Sequence, residues 1–124
     1  MEIKYKKDLK HEIPDTDLGD EYPYAMSAEI FLTKQLFLYS ERVMPYSKAS
    51  APHYHRSIDE VVYITKGEFV AVEGEDEKVL KTGDFALFEA NSQKLHYLEN
   101  RTDIEAEFVI FRRSIEKNDV IFNV

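Results

Sequence analysis

Pro52-His53-Tyr54-His55-Arg56-Ser57-Ile58-Asp59-Glu60 is the stretch on which the reading of this chain turns. Two of the chain's four histidines stand there, one residue apart, and a carboxylate follows five residues after the second. Pro52 favours an extended entry into the pair. An extended strand points residues i and i+2 to the same face, so His53 and His55 reach one point in space together. A bend after His55 brings Glu60 back to that point. His96 lies 36 residues after Glu60 and is followed by Asn100. Three neutral imidazoles and one carboxylate suit a divalent transition metal such as iron, manganese, nickel or zinc.

Outward from this stretch the chain reads as strands. Val61-Val62-Tyr63-Ile64-Thr65 is β-branched and aromatic, which favours a strand. Parity then matters: if Val62 and Ile64 face an interior, so does Glu60, and Asp59 does not. Lys66-Gly67-Glu68 turns the chain into Phe69 to Val72, Gly74 marks another turn, and further strands are expected over Phe85 to Phe88, Leu95 to Glu99 and Ala106 to Phe111. Upstream, Glu29 to Thr33 and Leu36 to Ser40 flank the polar pair Lys34-Gln35, a tight hairpin or bulge. Gly67 and Gly83 are expected at positive-φ turn positions. Ser114 to Asp119 reads as one helical turn and Val120-Ile121-Phe122 as a terminal strand. Many short strands with no long helix indicate an all-β, antiparallel sandwich or barrel. Residues 1 to 27 read as an arm, with Ile3 and Tyr5 able to add an edge strand, and residues 28 to 124 as the barrel.

The run His53-x-His55-x4-Glu60-x6-Gly67 resembles the first conserved motif of the cupins, and Gly83-Asp84-Phe85-Ala86-Leu87-Phe88 with His96-x3-Asn100 resembles the second. The resemblance spans about residues 40 to 111. Glu89 stands where that family usually has a proline, and the Glu89 to Leu95 loop is about two residues longer than usual. The resemblance implies a single-domain jelly-roll β-barrel, with His53, His55, Glu60 and His96 as ligands of one divalent metal: Fe(II), Mn, Ni or Zn. It also implies a small-molecule substrate, and places first a dioxygenase acting on a small diketone or phenolic compound. The alternatives are a sensor cupin that binds a ligand without turning it over, and a sugar or keto-acid isomerase.

Other readings compete at single residues. An unpaired carboxylate inside an apolar barrel is costly, and a metal cation compensates it; the structural alternative for Glu60 is an ion pair with an inward arginine such as Arg42. Asn100 is expected to hold the turn after the His96 strand. His11, between Lys10 and Glu12, is expected to be exposed. Lys94, two residues before His96, is a candidate for holding a substrate carboxylate near the barrel mouth. Tyr39, Tyr54, Tyr63, Tyr97, Phe69, Phe85, Phe88, Phe108 and Phe111 are candidates for core or pocket wall, and no tyrosine stands out as a catalytic acid.

Composition bounds the rest. The 124 residues, 44% hydrophobic and 13% aromatic, suffice for one domain with a core. The net charge of −8 disfavours a nucleic-acid partner. The absence of cysteine excludes disulfides and thiolate chemistry. No apolar run reaches membrane-span length, and Met1 to Lys7 lacks the apolar core of a signal peptide behind it. A cytoplasmic location follows as the default. A small jelly roll leaves sheet edges that need cover, so the arm is expected to lie along a sheet, giving a homodimer.

Overall fold

A computed structural model of the chain describes residues 1–114 and 119–123. Eleven strands run in chain order: β1 Met26–Leu32, β2 Leu36–Val43, β3 Ser47–Lys48, β4 Tyr54–His55, β5 Glu60–Lys66, β6 Glu68–Glu73, β7 Asp76–Lys81, β8 Phe85–Phe88, β9 His96–Asn100, β10 Ala106–Arg113 and β11 Val120–Ile121. Two single 3₁₀ turns, Lys6–Asp8 and Gly19–Glu21, are the helical elements among the described residues. A five-stranded sheet has the order β1-β2-β10-β5-β8 and a four-stranded sheet the order β3-β9-β6-β7, with β11-β4 as a short pair. Every ladder is antiparallel. This is the expected all-β jelly roll.

Strand periodicity places the core. Along β5, Glu60, Val62 and Ile64 are buried while Val61 and Tyr63 are exposed, as the parity argument requires. Val43, Val62, Ile64, Phe69, Phe88, Leu98, Ala106 and Phe108 form one apolar cluster between the sheets, and Phe69 meets Phe108 edge-to-face at 5.2 Å between ring centres. Asn100 is fully buried. Its Nδ2 donates to the carbonyls of Val43, Met44 and Ile104, and its Oδ1 accepts from the Thr102 amide and hydroxyl. It thus latches the expected turn, and the end of β2 as well.

The N-terminal residues behave differently from the reading at two points. Ile3 and Tyr5 add no strand and are exposed; the backbone pairing of this segment with the barrel is instead a bridge between Glu12 and Ser27. His11 is not an exposed side chain. Its Nε2 lies 2.8 Å from Ser40 Oγ, and burial pushes its pKa down. The segment also reaches the barrel mouth, where the Ala25 amide donates to the Ala49 carbonyl and Ala25 is buried. Near the C-terminus, β11 matches the expected terminal strand by pairing with β4; the helical turn expected over Ser114 to Asp119 falls outside the described residues at positions 115–118.

Gly67 turns β5 into β6 at φ +77°, and a Cβ there would sit 2.9 Å from Ala106 Cβ. Gly19 has φ +54° but open space around it. Gly67→Ala is therefore expected to cost about 1–3 kcal/mol for its backbone conformation, with the clash in addition. Gly19→Ala carries only the backbone part. Urea unfolding of the two variants checks this, and equal losses would contradict it.

Candidate metal centre

The site is assembled from both sheets. His53 and His96 form a backbone bridge, with the His53 amide donating to the His96 carbonyl at 3.2 Å and the reverse bond at 2.8 Å. Directly opposed residues of an antiparallel pair share a face, which is why the two rings stand 4.7 Å apart. His55, on β4, is two residues along and joins the same side. Glu60 opens β5 in the other sheet, where it pairs with Phe88. His53 and His96 are thus immediate neighbours, and of the four predicted ligands Glu60 is the one that comes from the opposite sheet.

The three imidazoles converge on one carboxylate oxygen. Glu60 Oε1 lies 3.0 Å from His96 Nε2, 3.2 Å from His55 Nε2 and 3.7 Å from His53 Nε2. His55, Glu60 and His96 are buried and His53 is partly so. Donor atoms of His53, Glu60 and His96 all lie within 4.8 Å of one another. His55 falls outside this group of three, and its Nε2 also faces Arg112 Nη1 at 3.4 Å.

The outer ring nitrogens fix what the inner ones can do. His53 Nδ1 lies 2.8 Å from the Ala51 carbonyl, and His55 Nδ1 lies 3.0 Å from Asp119 Oδ2. Both partners only accept hydrogen bonds, so in the neutral rings Nδ1 carries the proton and Nε2 presents a lone pair. Two imidazole lone pairs then face a carboxylate oxygen that is itself an acceptor. Arg112 Nη1 offsets this repulsion at His55, at 3.4 Å, and a cation among the ring nitrogens offsets it at His53 as well. A divalent metal fits that demand, and outer partners of this type orient metal-binding histidines in known sites. His96 Nδ1 is buried with no partner among the described residues, so His96 is free to donate to Glu60 through Nε2. Its ring stacks on Phe88 at 4.1 Å.

Charge follows the same pattern. Burial by itself raises the Glu60 pKa, but contact with the imidazoles, with His96 as the donor, outweighs it and holds the carboxyl far below the usual range. Burial pushes His96 down, more strongly than Glu60 pulls it up. Asp119, despite its burial, is held low by Ser57 and His55.

The structure answers three of the readings above. The alternative for Glu60, an ion pair with an inward arginine, is present, but the arginine is not Arg42, whose Nε bonds Glu107 at 3.2 Å. The inward arginine is Arg112, whose Nη1 donates to Glu60 Oε2 at 2.6 Å and whose guanidinium lies 3.9 Å over the Phe37 ring. Glu60 thus uses one oxygen for an arginine and turns the other to the imidazoles. Lys94 is exposed, and it lies against Gly74 rather than at the pocket. None of the Glu89 to Leu95 loop lines the pocket beside the histidines; the loop binds instead to Asp59 and the His55 carbonyl.

That pocket encloses about 170 Å³ beside His53, Glu60 and His96. Phe88, Tyr97 and Phe108 line it as candidates from the sequence, together with Phe37 and Tyr22, which the sequence reading passed over. Arg112 and Glu41 also face it. Parity could have found both: Arg112 follows Phe108 and Ile110 in steps of two, and Glu41 lies between Phe37 and Val43 on the same face. Nothing in strand periodicity points to Asp119.

The family described as Cupin domain matches residues 40–112. No curated protein matches the chain. Among solved structures, a sugar phosphate isomerase of the cupin superfamily from Silicibacter pomeroyi DSS-3 is 28% identical, with 88% of this chain and 73% of that chain covered and a TM-score of 0.75. A predicted oxalate decarboxylase from Thermotoga maritima is 18% identical, covering 92% and 100% at TM-score 0.75. A polyketide cyclase from Streptomyces resistomycificus is 15% identical, covering 96% and 89% at TM-score 0.73. The last two are similar in fold. No helix among the described residues is long and apolar enough to cross a membrane.

The titrating groups give the pH dependence of folding. His96 is held below the value of about 6.5 at which an unfolded histidine protonates, and Glu60 and Asp119 below the value of about 4 for unfolded carboxyls. In each case the unfolded chain binds the proton first as pH falls, so stability is present above these values and is lost beneath them. Urea unfolding of metal-free protein is expected to show loss beginning near pH 6.5 and steepening below about 4. Stability unchanged between pH 7.5 and 5 would contradict the His96 part.

Proposed function

The chain belongs to the Cupin domain family, and on that premise we propose that it is a metal-dependent enzyme acting on a small diketone or phenolic compound. His53, His55, Glu60 and His96 hold one divalent transition metal. The observation that carries this reading is the convergence of three imidazole nitrogens on Glu60 Oε1, with two of the rings committed to presenting lone pairs. Four protein ligands leave one or two positions on a five- or six-coordinate ion. Bound there, the ion would polarise a substrate oxygen and, as Fe(II), activate dioxygen.

The chain's own residues supply the rest. Arg112 holds Glu60 through Oε2, so that Oε1 stays turned to the imidazoles. Asp119 and the Ala51 carbonyl fix the two outer rings. Val62, Phe88, Leu98, Phe108 and Ile110 give the pocket an apolar wall, which excludes water and favours a substrate with few hydroxyls. That wall supports the diketone or phenol over a sugar. Isomerisation of a sugar or keto acid is the second reading; the pocket carboxyl Glu41 favours it, and the relative from Silicibacter pomeroyi DSS-3 is named a sugar phosphate isomerase.

The test begins with metal content. Wild-type protein purified without a histidine tag is expected to hold about one divalent metal, and His53→Ala with His55→Ala to hold none while staying folded. Iron-loaded protein is then offered small diketones and catechols in an oxygen electrode. Oxygen uptake that the double variant lacks is the expected result. Full metal content in the double variant would overturn the ligand assignment, and metal-loaded protein without uptake would overturn the dioxygenase reading.

We also propose a homodimer. Val61 and Tyr63 of β5, Phe85 and Leu87 of β8 and Phe111 of β10 are exposed cross-strand neighbours on one outer face, and β8 is an edge strand. A second copy covering this face removes apolar area from water. Light scattering at micromolar concentration is expected to give a dimer for the wild type and a monomer for Phe85→Glu with Leu87→Lys. A monomeric wild type would contradict it.

A further inference from the structure

Glu41 is a pocket carboxyl that the metal cluster does not use. It sits on β2 between Ser27 of β1 and Phe108 of β10, its direct cross-strand partners. All three side chains line the pocket that also exposes His53, Glu60 and His96. Along β2 the neighbours Ser40 and Arg42 lie on the opposite face, against the N-terminal segment. Glu41 therefore faces the barrel interior by register.

Its bonding leaves it free to exchange a proton. The Ser27 hydroxyl donates to Oε2, and Oε1 has no hydrogen-bond partner among the described residues. No ion pair to Glu41 occurs among those residues either, although Arg112 acts on it through space. Glu60 shows the opposite arrangement, with one oxygen tied to Arg112 and the other to three imidazoles. Two carboxyls thus border one small cavity: one is bound as an anion and the other is held by a single hydroxyl. Pairs of carboxyls whose surroundings push them apart in this way divide the roles of fixed charge and proton carrier.

We propose that Glu41 is the acid/base of this pocket, taking the α-proton of a bound carbonyl compound and returning it; the proposal rests on the metal-dependent reading given above. In the forward step the C–H bond between two carbonyl groups breaks and its proton bonds to Glu41 Oε1. The electron pair moves into the adjacent C–C bond while the carbonyl π pair moves to oxygen, giving the enolate. The reverse step restores the C–H bond, with no oxidant consumed. A diketone needs this enolate before it can meet dioxygen, and a keto acid needs it before it can isomerise. Diketone oxygenation and keto-acid isomerisation thus both begin with removal of a proton from a carbon next to a carbonyl group, a step that a phenolic substrate lacks.

The electrostatics agree with that role. Burial raises Glu41 to about 7, against the Ser27 hydrogen bond and the Arg112 charge, which lower it. A proton carrier is most effective when its pKa lies near the working pH. The ionisable groups around it are Tyr22 from the N-terminal segment, Tyr39 on its own strand, Arg112 on β10, Glu60 on β5 of the same sheet, and His53 and His96 across the cavity. Of these, Arg112 opposes the upward shift, whereas Tyr22 and Tyr39 are themselves raised and stay neutral through the range in question.

The probe is acetylacetone mixed with the zinc-loaded full chain, because zinc has no redox chemistry and isolates the proton step. Stopped-flow ultraviolet absorption follows enolate formation from pH 5.5 to 8.5. The wild-type rate is expected to rise with pH and bend near 7. Glu41→Gln, which keeps the shape and the Ser27 contact, is expected to slow the rate about 100-fold or more and abolish the bend, with zinc content unchanged. A Glu41→Gln rate and bend equal to wild type, at full zinc content, would overturn the assignment while leaving the metal reading intact. A wild type that binds no zinc would overturn the metal reading instead. In that event side-chain carboxyl ¹³C titration of the metal-free protein still decides on Glu41, with its signal identified by its loss in Glu41→Gln. A midpoint near 7, moving upward in Ser27→Ala, is expected; an ordinary carboxylate midpoint near about 4.3 overturns the proposal.

Discussion

Glu60 Oε1 and the imidazole nitrogens that face it set the terms for the rest of the molecule. Lone pairs do not gather in a buried space without a positive charge among them. Each strand that enters the site serves that gathering. The bridge between His53 and His96 aligns two rings, the β4–β11 pair brings Asp119 to the back of His55, and β5 carries Glu60 across from the other sheet. Arg112 adds a cation on the outer oxygen of Glu60, which orients the carboxylate and places a second positive charge beside any metal. The cavity therefore combines an apolar wall of Val62, Phe88, Leu98, Phe108 and Ile110 with the polar groups of the histidines, Glu60, Arg112 and Glu41, and that contrast makes the cavity a place for chemistry.

The fold was legible because period-two alternation is strong where one face is buried. Glu60, Val62 and Ile64 against Val61 and Tyr63 decided both the strand and the inward carboxylate. The glycine turn at Gly67 and the latch at Asn100 follow from local backbone chemistry, which a sequence states directly. The convergence of His53, Glu60 and His96 was legible for the same reason, since spacing along strands restricts where side chains point.

What escaped is instructive in physical terms. Arg112 and Glu41 are charged residues on strands whose other inward members are apolar, so composition hides them although parity places them. Arg42, the arginine named in the alternative reading of Glu60, lies on the other face of β2 and meets Glu107. Asp119 acts through a pairing 64 residues distant in sequence, and no local pattern encodes such a contact. Lys94 is close to His96 in sequence but does not line the pocket, because the side chain leaves on the outside of the turn against Gly74. Position along a strand carried over into space, and position in a loop did not.

The central claim is that the cluster exists to hold a cation through its imidazoles. X-ray absorption of the zinc-loaded wild-type chain counts those imidazoles directly, through the outer-shell scattering of coordinated rings. The account predicts a first shell of nitrogen and oxygen near about 2.0–2.1 Å with three imidazoles per zinc. A shell of oxygen alone, or one imidazole, would contradict it.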